Sequence, residues 1–194
     1  LATSITQEFP KNKVALKVLA AVLKQNGSIN KALIICQKSV QLDPRDAEAH
    51  NNLGVLLQEQ GRLKEAEESF KKAIALKPDY AMAHGNLGMI LQIQGKLKEA
   101  EESYKKAIAL KPDYAEVHNN LGVILKDLGK LGEACSAFIQ SINLNPNSSD
   151  TYANLGIVMR NLRFNSSNVK LYPLLVRLLS AENFVRPMNL AASI

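Results

Sequence analysis

From residue 13 onward, apolar residues recur at the three- and four-residue spacing of an amphipathic helix, and glycine and proline interrupt the stripes at regular intervals. Leu53 and Leu57, Leu87 and Leu91, and Leu121 and Leu125 mark one stripe in successive segments. The interruptions keep register. Gly27, Gly61, Gly95 and Gly129 are 34 residues apart, and so are Ala32, Ala66, Ala100 and Ala134, and Pro44, Pro78, Pro112 and Pro146. A period of this length without slippage marks a repeat array in which each unit buries its apolar face on a neighbour. Two stretches, 61–70 and 95–104, are near copies.

Taking Lys13, Ala47, Ala81, Ala115 and Ser149 as position 1 gives repeats at 13–46, 47–80, 81–114 and 115–148 and a partial one at 149–162. The spacing predicts helix A over positions 1–14 and helix B over about 17–30. Glycine at position 15 supplies the left-handed conformation that ends helix A, and proline at position 32 stops helix B. Asp113, with Glu116 three residues later, reads as a capping box for one A helix. Helix B opens with acids and closes with lysines, as its dipole favours. Glu67 with Lys71, Glu68 with Lys72, Glu101 with Lys105 and Glu102 with Lys106 make i,i+4 pairs on what reads as a solvated outer face.

An advance of about 100° per residue groups positions 4, 7, 8 and 11 of helix A in one sector, the expected core stripe. In the second repeat these are His50, Leu53, Gly54 and Leu57, where the small glycine admits a close helix B. Positions 2, 5, 6, 9, 12 and 13 lie on the opposite side.

Asn-Leu-Gly, followed by Gly, Ala, Phe or Tyr, Ala and Pro at these offsets, resembles the tetratricopeptide repeat (TPR) over residues 13–162. The resemblance implies an all-α fold, a right-handed TPR superhelix (α-solenoid) of antiparallel helix pairs, whose inner groove is lined by that opposite side of helix A. The ends depart from the pattern. The first repeat has Leu16, Val18 and Ala20 where later ones have His, Asn and Gly, and Cys36 where they have Phe or Tyr. Residues 1–12, with Pro10 one period before Pro44, read as the remnant of a preceding repeat or a cap. Residues 163–194 read as a truncated helical segment with a short apolar helix at Leu171–Leu179.

Position 6 is Asn52, Asn86, Asn120 and Asn154, one residue type retained on the groove side although asparagine is a mediocre helix former. A carboxamide both donates and accepts, so it can pair with a peptide group of an extended chain. Adjacent A helices ~8 to 10 Å apart would let one asparagine meet every second or third residue of a partner rising ~3.3 Å per residue. The array is similar to the TPR arm of O-linked N-acetylglucosamine transferases, where an asparagine ladder at the matching position binds substrate peptide. The bland alternative is retention after recent duplication. The remaining groove candidates are Asn51, Val55 and Gln58, then Met82, Met89, Gln92 and Ile93, then Asn119, Val123 and Lys126. Flexible thioethers suit adaptable contact. The lysine and arginine clamp with which chaperone-binding TPR domains hold a terminal carboxylate is missing: position 5 is Asn51, Gly85 and Asn119, and Lys17 stands alone.

His50, His84 and His118 share position 4, but histidines on separate helices cannot all come within ~2.1 Å of one zinc, so packing is the expectation and no metal or cofactor is. Gly88 to Gly95-Lys96 has the wrong spacing for a phosphate loop and sits in a helical stretch. No nucleophile, base and orienter come together, which predicts no enzyme within these residues.

The net charge of +6 sits at the ends of the chain: residues 45–146 carry 13 lysines and arginines against 14 acids, so no basic stripe supports nucleic-acid binding. Nor is there an apolar run of membrane length. Cys36 and Cys135 lie nearly three repeats apart and read as buried small hydrophobes of a cytoplasmic, reducing environment. The expected function is a protein–protein interaction scaffold holding an extended polypeptide in its groove, with the substrate-recruiting arm of a larger glycosyltransferase, sulfotransferase or methyltransferase as the alternative.

Overall fold

A computed structural model describes residues 12–161, and every regular element among them is an α-helix. They are α1 Lys13–Gln25, α2 Ile29–Leu42, α3 Ala47–Glu59, α4 Leu63–Leu76, α5 Ala81–Ile93, α6 Leu97–Leu110, α7 Ala115–Asp127, α8 Leu131–Leu144 and α9 Ser149–Asn161. The A helices end one residue earlier than the spacing predicts, and the B helices match it. The expected remnant at 1–12, Asn12 excepted, and the segment 163–194 with its Leu171–Leu179 helix lie outside the described residues.

Two compact units divide the chain, Leu1–Gly95 and Lys96–Ile194. In the first, α1 and α2 form one helical hairpin and α3 and α4 the next, with α2 against α3 and α4 against α5. In the second, α6 packs on α7, α7 pairs with α8, and α8 packs on α9.

The A-to-B turns are closed by backbone hydrogen bonds. At the end of α3, Arg62 N–H donates to the Leu57 carbonyl and Gly61 N–H to that of Gln58, both at 2.9 Å, with Gly61 at φ 72°. This is the paired 6→1 and 5→2 closure of a left-handed C-cap, repeated at Gly27 and Gly129. Helix starts vary more. Asp46 caps α3 by accepting from Glu48 and Ala49 N–H, and Asn12 caps α1 by accepting from Ala15 N–H. The box expected at Asp113 does not form: α7 begins after Tyr114, which makes no side-chain cap bond, and the Asp113 carbonyl takes the Ala115 N–H instead.

The buried face of helix A is displaced from the expected stripe. Leu53 at position 7, and His84 and His118 at position 4, are only half-buried, whereas positions 3 and 10 are sealed through Ala49 and Leu56 in α3 and Val117 and Ile124 in α7. Position 10 faces the preceding B helix, so Val22, with no described helix before it, is 38% exposed while Leu56 is 2%. Position 8 is a point of close approach: a Cβ built on Gly54 would lie 2.7 Å from the Phe70 ring, and one on Gly122 2.6 Å from that of Phe138. Burying each such ring stabilises the hairpin by about 1.5 to 3 kcal/mol.

The three histidines work as loop anchors. Nε2 of His50, His84 and His118 donates to the carbonyl of Pro44, Pro78 and Pro112 at 3.1, 3.0 and 2.9 Å, tying each A helix to the turn that leads into it. The outer face of helix B also differs from expectation. Lys71 meets Glu67 and Lys105 meets Glu101, each at 2.6 Å, but Glu67 and Glu101 are buried, and Lys130 of the next repeat reaches Glu101 at 2.9 Å. Glu68 with Lys72 and Glu102 with Lys106 form no ion pair within 4 Å among the described residues.

Candidate functional site

In the first unit the groove candidates lie on α3 and α5. Asn52, Val55 and Gln58 are half-buried on α3, and Asn86, Met89 and Gln92 are half-buried on α5. Met82 and Ile93 stand out at 47% and 55% exposure. Asn51 does not belong to the open wall: it is 3% exposed, and its Oδ1 accepts from Asn86 Nδ2 at 3.0 Å. Gln58 Nε2 reaches Met89 Sδ at 2.9 Å, which brings two of the candidates together across the gap between α3 and α5.

The second unit repeats the arrangement. Asn119, Asn120, Val123 and Lys126 are half-buried on α7, and Asn154 is half-buried on α9. Asn154 Nδ2 donates to Asn119 Oδ1 at 3.2 Å, the same step of 35 residues that joins Asn86 to Asn51. Asn119 in turn lies 3.4 Å from Asn120, which also meets the Tyr104 hydroxyl. Burial, with Glu116 nearby, holds that phenol well above its usual range, so it serves as a neutral hydrogen-bonding group. Lys126 pairs with Asp127 at 3.4 Å.

These contacts fix carboxamides that would otherwise rotate. With one amide hydrogen of Asn86 engaged by Asn51, its carbonyl oxygen and second hydrogen remain for another group, at an orientation set in advance. Asn52 is the exception. Its counterpart one step back is Lys17, a donor held by Asp46 at 2.8 Å and by Glu48, and Asn52 makes no side-chain hydrogen bond among the described residues. Both acids offset the charge of Lys17. Lys24 is held likewise by Glu59 at 2.8 Å.

A cavity of about 110 Å³ beside α1 and α3 is lined by Cys36, Ala20, Leu56 and Asn52 among others, and the local spacing does not predict it. Its trace in the sequence is the exchange of the Gly and aromatic pair for Ala20 and Cys36, which is a loss of volume as well as a departure from pattern.

Tetratricopeptide repeat profiles match residues 13–79 and 47–113, and a second one matches 103–136. Among curated proteins, none matches. Among solved structures the fold is similar to that of YrrB, a TPR protein with an unusual peptide-binding site, at TM-score 0.70 and 22% identity over 91% of each chain. It is also similar to pilF of Pseudomonas aeruginosa, at TM-score 0.72 and 26% identity over 85% of this chain and 75% of that one. A thermophilic TPR protein of Thermus thermophilus gives TM-score 0.68 and 26% identity over 81% and 87%. With the 34-residue register, the antiparallel hairpins and these matches in hand, the chain belongs to the tetratricopeptide repeat family.

Proposed function

We propose that this protein is an interaction scaffold whose A-helix faces hold an extended polypeptide by its backbone. The observation that carries the reading is the recurring carboxamide step, Asn86 onto Asn51 and Asn154 onto Asn119, which leaves oriented donors and acceptors at position 6. Amides presented this way suit peptide groups and carry little side-chain information, so the grip is tolerant of partner sequence. Met82, Met89 and Ile93 add adaptable apolar contact beside them. The likeness of the asparagine ladder to that of transferase arms supports the same mode of binding, as does the peptide-binding site of YrrB.

The test is titration of a library of extended peptides against the wild type and a variant with Asn52, Asn86, Asn120 and Asn154 all changed to Ala, with circular dichroism as the folding control. Each lost hydrogen bond should remove ~0.5 to 1.5 kcal/mol of affinity across the library. Asn52→Ala alone serves if the fourfold variant unfolds, since Asn52 makes no side-chain hydrogen bond among the described residues. Undiminished binding by a folded variant would sink the proposal.

A further inference from the structure

The first repeat lacks the ring that fills its successors. In α3 and α4 the Phe70 ring occupies the place over Gly54, and in α7 and α8 Phe138 does the same over Gly122. In α1 and α2 those two positions are Ala20 and Cys36, a methyl group where the others have hydrogen and a thiol where they have a ring. The volume is not recovered by collapse: the cavity of about 110 Å³ lies there, and Cys36, Ala20 and Leu56 are all buried around it. Its rim is formed by Lys17, Lys24 and Asn52, at positions 5, 12 and 6 of the A helices, so it opens toward the side on which the asparagines stand.

We propose that this cavity is a specificity pocket for one branched aliphatic side chain, Val, Leu or Ile, of the extended peptide, whose backbone at that residue is held by Asn52. The proposal rests on the groove reading above and adds a side-chain preference to it. Three observations fix the occupant. The floor is methyl, thiol and isobutyl, a poor site for water, which needs several polar partners. The volume is below the ~150 Å³ of an apolar cavity that accepts benzene, which favours an aliphatic chain over an aromatic one. The two rim cations are already neutralised, Lys17 by Asp46 and Glu48 and Lys24 by Glu59, so they select no acidic residue and offer their alkyl stems. Asn52, the position-6 asparagine with no side-chain hydrogen bond of its own among the described residues, stands beside the mouth with its carboxamide free for the peptide.

The experiment uses immobilised extended peptides of a serine and threonine background in which one central residue is Leu, Ile, Val, Ala, Phe or Asp. Wild type should prefer the branched residues over Ala by about tenfold. The double variant Ala20→Gly with Cys36→Phe rebuilds the pairing of the other repeats and fills the cavity. It should keep the affinity for the Ala peptide and lose the preference. Ala21→Leu, at an exposed position on the rim, blocks the mouth from outside and should act alike if the double variant does not fold. Asn52→Ala should weaken all six peptides and leave their ranking unchanged. Equal binding of Leu and Ala peptides by the wild type, or a filled variant that keeps the preference, overturns the pocket while leaving the groove standing. Failure of the wild type to bind any peptide removes the groove reading and the pocket together.

Discussion

The ring of Phe70 occupies the space that any side chain on Gly54 would need, its nearest carbon 2.7 Å from where a Cβ would be. Gly54→Ala should therefore destabilise the protein by ~1 to 3 kcal/mol, more than the ~1 kcal/mol of helix propensity that the change adds. In a Phe70→Ala background, itself costing ~3 to 5 kcal/mol, the sign should invert and Gly54→Ala should stabilise. Urea melts of the four proteins measure both effects. An unchanged sign would mean that contact with the ring is not what keeps glycine at this position.

Asn86 and Asn52 occupy the same position in successive repeats yet should respond differently to truncation. Removing Asn86 leaves the buried Asn51 oxygen without its donor, at ~1 to 3 kcal/mol. Asn52→Ala breaks no such bond and should change stability by less than ~0.5 kcal/mol. Equal melting midpoints for the two variants would show that the carboxamide step does not contribute to folding.

Lys105, and then Lys130, hold the Glu101 carboxyl below its usual range against the opposing effect of burial. A carboxyl with a lower pKa when folded stabilises the fold above its unfolded value, about 4.3, and that contribution is lost as pH falls through the folded value. Wild-type stability should thus decline on acidification below about pH 5. Glu101→Gln should decline less steeply over the same window, by no more than about 1 kcal/mol because both lysines are partly solvated. Melting midpoints between pH 3 and 7 compare the slopes, and parallel curves would count against the pairing.

Burial pushes the Cys36 thiol up to about 11 and the Cys135 thiol up to about 12. The thiolate is the nucleophile, so at pH 8 neither should react with iodoacetamide at more than about a hundredth of the rate of a free cysteine. Labelling followed by mass spectrometry then reports opening of each repeat. Prompt modification of Cys135 in native protein would contradict its burial.

Reading the residues in order captures what repeats locally and loses what is made between repeats. The 34-residue register placed every described helix because glycine and proline act on the backbone where they stand. Leu56 falls outside a stripe that faces one neighbour, whereas helix A also packs on the B helix before it. Helical angle and family resemblance put Asn51 on the groove side, and only its pairing with Asn86 shows why a polar residue there is buried. Glu101 looked like half of an i,i+4 surface pair because Lys130, 29 residues away, leaves no trace in local spacing. The cavity escaped notice for a related reason: emptiness belongs to no single residue, and Ala20 and Cys36 had to be set side by side to show it.

Gly27, Gly61, Gly95 and Gly129 differ from Gly54 in what excludes a larger residue. Nothing lies within 4 Å of a Cβ at any of the four, yet each has φ between 70° and 75°. Crowding is absent, so what is selected at these turns is handedness, which L-amino acids resist by ~1 to 2 kcal/mol. A D-alanine introduced by chemical ligation would meet the same turn from its favoured side and would restrict the unfolded chain as glycine does not. The turn between the two helices of a repeat is thus a site that calls for the opposite chirality and is met by an achiral residue, and the fold should grow more stable when that chirality is supplied.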